Sequence, residues 1–319
     1  NSIYIEGEND GSFDGNDFIL FYAKGPHDWD INLTNNSVEH RQNIYSDKSY
    51  YFIHVNEVDG KRIAIQTDVA TNATLQINTF DDFIFKEKEE KSILGAGTQW
   101  FFNEDFNIQN SQSFSIPFPN SIPTENLNII VRGVSNSVVS SSMDVQVNGQ
   151  DVFSINYPAV NPVSLTKAFA IERRGTFLNA QENVDVTITY NNNGNPSATA
   201  FLDYIEITGK KQLKYTDKQF SFRSFEQKDA SNTIEYQIEN GTPSYQVWDV
   251  TDYINPKTVN NQSTTNSFSF KANGGELQEY IVLSETDFYI PEVLDNAKVV
   301  NQNLHALQDL EDIVITNLE

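Results

Sequence analysis

Short apolar and aromatic runs separated by polar stretches dominate the chain, and most repeat with a period of two. Phe114 to Phe118, Asn128 to Arg132, Asp144 to Asn148, Val184 to Tyr190 and Phe201 to Ile207 carry this pattern most clearly. Such spacing sends apolar side chains to one face and polar ones to the other, which predicts antiparallel strands in a two-sheet sandwich. Asn148–Gly149 and Asn193–Gly194 supply residue types that tolerate the positive φ of tight hairpin turns. Earlier runs, Phe18 to Lys24, Tyr50 to Val55, Arg62 to Gln66, Thr74 to Asn78 and Phe83 to Phe85, predict buried strands of a first unit, and the charged run Lys86 to Lys91 reads as a solvated connector after it.

A third group of strands is expected at Thr233 to Ile238, Tyr245 to Val250, Ser267 to Phe270 and Glu279 to Leu283, with breaks at Asn255–Pro256 and Asn273 to Gly275. The pattern changes only at the end. Asn296 to Asp309 predicts a helix and Asp312 to Thr316 a buried parallel strand, the opening of an α/β domain. The expected organisation is a mainly β, multi-domain array of β-sandwich or jelly-roll type. Its units are an N-terminal β domain at 1–93, a jelly-roll-like sandwich at 94–215, a third β domain at 216–290, and a linker with the start of a further domain at 291–319.

Composition agrees with β-structure and narrows function. The chain has 319 residues with Phe 22 and Tyr 14, enough aromatic surface to offset the entropy of folding several units. A net charge of -23 opposes binding to phosphate backbones, so nucleic acid is not an expected partner. No apolar run reaches the ~18 residues of a membrane-spanning helix. The start at Asn1 to Tyr4 lacks a basic-then-apolar signal region, as in a processed or truncated chain. Cys 0 removes disulfides, thiolate metal sites and a cysteine nucleophile from these residues.

Few residues carry candidate chemistry. Glu6 to Asp17 lays onto a twelve-residue calcium loop, with oxygens from Glu6, Glu8, Asp10 and Asp17 and Gly11 at the sharp turn. Calcium takes six to eight oxygen ligands and relieves the repulsion of closely spaced carboxylates. The alternative is an acidic Asp-Gly hairpin turn, and calcium is the one cofactor expected. His27, His40, His54 and His305 have no spacing that sets two ligands on one face, which points to structural roles. No Gly-x-Ser-x-Gly elbow accompanies the serines. Trp29, Trp100 and Trp248 are either core residues or flat platforms for a sugar ring.

Several segments resemble a known family. Asp10 to Pro26 and Asn43 to Ile53, then Phe201 to Thr208, Asn301 to Leu307 and Asp312 to Thr316, are similar in content and order to the region before the peptidase domain of PorU-like sortases of the type IX secretion system, within the gingipain-like cysteine peptidases. The resemblance implies an extended β region ahead of a caspase-like domain whose His and Cys act beyond Glu319. It implies a full-length parent that cleaves C-terminal sorting signals and attaches cargo to surface lipopolysaccharide. It further implies a secreted or cell-surface location at the outer membrane of a Gram-negative bacterium, with outer-membrane secretion components and cargo proteins as partners. No catalytic residue carries over to this chain, so these residues are expected to position and bind, not to catalyse. A carbohydrate-binding module of a surface hydrolase, or an adhesin, is the competing expectation.

Overall fold

The structure is a computed structural model describing residues 1–54, 58–95 and 97–294. Residues 1–287 make one compact unit and residues 288–319 a second, of which only 288–294 are described. The helix expected at Asn296 to Asp309, the strand at Asp312 to Thr316, and His305 lie outside the described residues. Described secondary structure is almost entirely β, in several separate sheets.

Two hairpins open the chain. β1 (Ile3–Glu6) pairs antiparallel with β2 (Phe18–Phe21), and β3 (Asp28–Asn32) with β4 (Ser37–Arg41). The tip of the second is held by side-chain acceptors: the amide of Thr34 donates to Asn32 Oδ1 at 2.9 Å and that of Ser37 to Asn35 Oδ1 at 3.1 Å. The strand expected at Tyr50 to Val55 does not form over its described part. Residues 50–54 are irregular and exposed, and among the described residues no strand pairs with them; β-forming side chains alone do not create a ladder.

Next come β5 (Ala64–Ile65), β6 (Leu75–Ile77) and β7 (Thr79–Glu87). The sandwich follows in β8 (Ser111–Pro117), β9 (Asn126–Asn136), β10 (Ser141–Val147), β11 (Gln150–Tyr157), β12 (Phe169–Leu178), β13 (Asn183–Asn191) and β14 (Thr199–Gln212). One sheet has the order β11-β10-β13-β8 and the other β12-β9-β14-β7. Ile129, Val131, Val145, Ile155, Val186 and Ile205 are among the side chains that fill the space between them. The turns predicted from sequence are present, with φ of 50° at Asn148 and 77° at Gly149, and of 48° at Asn193 and 77° at Gly194. Gly133 in β9 is required by space: a Cβ there would stand 2.7 Å from the Tyr157 hydroxyl and 2.8 Å from Met143 Sδ.

A second core gathers β15 (Phe220–Phe222), helix α1 (Phe225–Asp229), β16 (Ile234–Ile238), β17 (Gln246–Asp249), β18 (Lys257–Val259), β19 (Phe268–Ala272) and β20 (Tyr280–Leu283). Its sheets run β15-β20-β17-β18-β5 and β19-β16-β6 over a cluster of aromatic rings including Phe222, Tyr236, Phe270 and Tyr280. The sheets thus cross the division expected near Leu94. β5 and β6 pair in parallel with β18 and β16 in the second core, while β7 pairs along β14 in the sandwich. The run Lys86 to Lys91 begins inside β7, where Lys86 and Glu87 face Ile205 and Tyr204. Alternation marks a strand without marking its sheet, and a sheet edge accepts charged side chains readily.

Candidate functional site

The outer face of the β12-β9-β14-β7 sheet is not left to solvent, and its covering creates a buried cluster of charged side chains. Antiparallel register sets Glu172, Arg132, Tyr204 and Glu87 in one row across the four strands, and Arg174, Ile130, Glu206 and Phe85 in the next. A β-bulge between Leu202 and Tyr204 inserts Asp203, whose carboxylate pairs with Arg132. The β3–β4 hairpin lies over these rows. Its opposed residues Trp29 and His40 share a face, with the Trp29 ring 4.3 Å from Phe83 and the His40 ring stacked 4.4 Å from Phe85.

His40 is the centre of the contact. Its backbone amide donates to Glu206 Oε2 at 3.0 Å, its Nδ1 lies 2.7 Å from the same oxygen, and its Nε2 lies 2.8 Å from Glu87 Oε2. All three side chains are buried or nearly so. Burial works against the imidazolium, but hydrogen bonds and charges from Glu206 and Glu87 outweigh it and push the His40 pKa up to about 9. Both ring nitrogens then donate, each to a carboxylate.

Around this clamp other carboxyls are shifted upward. Burial raises Asp203 to about 6 against the pull of Arg132. Burial and a hydrogen bond with Glu87 raise Glu89 to about 7. Tyr204 donates to Glu172 at 2.7 Å, and Arg174 bridges Glu172 at 2.8 Å and Glu39 at 2.9 Å, on the more exposed side. A cavity of about 220 Å³ opens beside the clamp, walled by Glu89, Asp203 and Glu206 and rimmed by Trp100. The arrangement raises the proton affinity of its carboxyls and offers carboxylate oxygens as acceptors, and it presents no thiol.

The carboxylates expected to hold calcium are placed differently. Glu6 Oε2 accepts from the Tyr4 hydroxyl at 2.5 Å, and Glu8 Oε2 from Arg62 Nε at 2.6 Å. Asp10 Oδ1 accepts from the Ser12 amide and Asp17 Oδ2 from the Asp14 amide, each at 2.8 Å. Among the described residues no group of three or more His, Cys, Asp or Glu side chains is arranged to hold a metal ion. Each of these bonds engages one oxygen of its carboxylate, Oε2 of Glu8 and Oδ2 of Asp17. Of the tryptophans, Trp248 is buried and Trp29 packs under the hairpin, so only Trp100, 36% exposed, offers an open ring.

The His40 cluster has little local sequence signal. Its partners are 47 and 166 residues away, and only the placement of Asp203 and Glu206 within the mostly apolar run Phe201 to Ile207 hints at a polar feature on that face.

No protein-family model matches the chain, and no curated protein matches it. In fold class the chain is a mainly β, multi-sheet array centred on an antiparallel sandwich. Its fold is PorU-like: the crystal structure of dimeric latent PorU from Porphyromonas gingivalis superposes over 86% of this chain with a TM-score of 0.69 at 18% identity. This chain spans 27% of that PorU chain. Two carbohydrate-binding modules share smaller parts. CBM36 in complex with calcium and xylotriose covers 30% of this chain and 71% of its own at 22% identity and a TM-score of 0.23. CBM35 from Cellvibrio japonicus Abf62 covers 41% of this chain and 97% of its own at 11% identity and a TM-score of 0.27. No described helix is long and apolar enough to cross a membrane.

Proposed function

We propose that this chain is the non-catalytic front region of a cell-surface type IX secretion sortase of the gingipain-like cysteine peptidases. The parent would cleave C-terminal sorting signals and attach cargo to surface lipopolysaccharide at the outer membrane of a Gram-negative bacterium. The observation that carries this reading is the PorU-like fold over 86% of the chain. The ordered similarity of Asp10 to Pro26, Asn43 to Ile53 and Phe201 to Thr208 to the same region supports it. With Cys 0 these residues contribute no thiolate, so the nucleophile and its base belong to a downstream domain. The role of this region is to position that domain and to contact cargo and outer-membrane components.

The reading is tested with a peptide bearing a C-terminal sorting signal. The purified chain should leave it intact, and the full-length parent should cleave or transfer it. Turnover by the chain alone, or an inert parent, overturns the proposal. One observation favours a second reading, carbohydrate binding. A groove of about 660 Å³ is lined by amides and hydroxyls including Asn78, Gln212, Gln237, Gln262 and Ser269, groups that suit a neutral polyhydroxyl ligand. Binding on a glycan array, lost on substituting Gln237, would favour it.

A further inference from the structure

The cavity beside the His40 clamp contains buried acceptors that the fold itself leaves unused. Glu206 is 1% exposed, and His40 engages only its Oε2; its Oε1 has no donor. Oε2 of Glu89, equally shielded, has none either. Leaving such a buried oxygen without a donor carries a desolvation cost. The hairpin clamp does not require that cost, since it works through the opposite oxygen of Glu206.

The nearby cations are already committed. Arg132 is held by Asp203, Arg174 by Glu172 and Glu39, and His40 by Glu87 and Glu206. Five carboxylates and three cationic side chains line the cavity, so its charge is negative in excess. Its volume of about 220 Å³ exceeds the ~30 Å³ share of one water several-fold. The acceptors are not gathered around a point, as a metal ion would require. Separated acceptors with an aromatic ring at the rim suit a cation that spreads its N–H donors and carries an apolar stem.

We propose that this cavity binds the cationic end of a lysine or arginine side chain presented by a polypeptide partner. The guest donates to Glu206 Oε1 and Glu89 Oε2, and its methylene stem lies against Trp100. The proposal does not depend on the proposed sortase parent. Glu89, faced by Glu87 on β7 and Asp203 on β14, is the group that responds to occupancy. Its carboxyl is raised to about 7 by burial and by Glu87, and a cation beside it favours the ionised form. Binding therefore expels a proton and weakens as pH falls below that value.

The test is calorimetric titration of the whole chain at about pH 8, above the titration of Glu89, with three probes. These are Nα-acetyl-lysine methylamide, Nα-acetyl-arginine methylamide and the uncharged Nα-acetyl-norleucine methylamide. At least one cationic probe should bind about tenfold or more tightly than the neutral one, and the stronger of the two assigns the head group. Glu89→Gln should erase most of that difference. Glu90→Gln should preserve it, because that carboxylate lies outside the cavity and engages Lys88 and the Asn103 amide. Equal binding of charged and neutral probes, no heat at millimolar concentration, an unaffected Glu89→Gln, or saturable heat only with calcium chloride would each overturn the proposal.

Discussion

Replacing His40 with glutamine tests how the hairpin is fastened to the sandwich. In the native protein the imidazolium lies between Glu206 and Glu87 at 2.7 and 2.8 Å, with a pKa of about 9 against an ordinary value of 6.5. Each pKa unit of difference between folded and unfolded states is worth about 1.4 kcal/mol, so the clamp contributes on the order of 3 kcal/mol when charged. Because the folded value is the higher one, that contribution is complete below 6.5 and is lost as pH rises through about 9. The raised carboxyls Asp203 and Glu89 titrate near 6 and 7, so the window above 7 belongs mainly to His40. Urea unfolding at a series of pH values should show the native chain losing stability between pH 7 and about 9.5, by roughly 2–3 kcal/mol. His40→Gln should lack that slope. At neutral pH it should also be less stable by about 3–5 kcal/mol, since two buried carboxylates lose their counter-charge. Parallel stability curves for the two proteins across this window would refute the clamp.

Gly133→Ala should destabilise by about 1–3 kcal/mol in the same unfolding assay, because the added methyl meets Tyr157 and Met143 in the core; an unchanged midpoint would show that they can move aside. Arg223→Ala should cost about 3–5 kcal/mol: Arg223 is buried, bonded to Glu279 and the Asp81 carbonyl, and lies 4.1 Å from the centre of the Phe83 ring. A loss under about 1 kcal/mol would contradict that account. Calcium titration distinguishes the two forms of the loop at residues 6–17. The contacts Glu8 makes with Arg62, and Asp17 with the Asp14 amide, predict no saturable heat. A one-site isotherm with a raised melting temperature would show that calcium displaces them.

What sequence conveyed was governed by distance along the chain. The sandwich strands were legible because alternation is a local consequence of the pleat, and Asn148–Gly149 and Asn193–Gly194 were legible because a hairpin turn needs positive φ. Strand partnership was not. β5, β6 and β7 are consecutive, yet they enter three different sheets. Tyr50 to Ile53 have strand-forming side chains but pair with no strand among the described residues, and they are exposed. The His40 cluster was hidden most completely, since each residue is unremarkable alone and only the stacking of the hairpin on the sheet joins them. The acidic loop at residues 6–17 shows the converse case: four carboxylates close in sequence each take a partner nearby in space, Tyr4, Arg62 or a local backbone amide.

The reading of this chain as the front of a sortase is tested most directly by sequencing the coding region beyond Glu319. The expected result is an uninterrupted frame encoding a caspase-like domain with a paired histidine and cysteine. A stop codon shortly after Glu319, or a continuing frame without that pair, would contradict the sortase assignment and leave carbohydrate binding as the function to pursue.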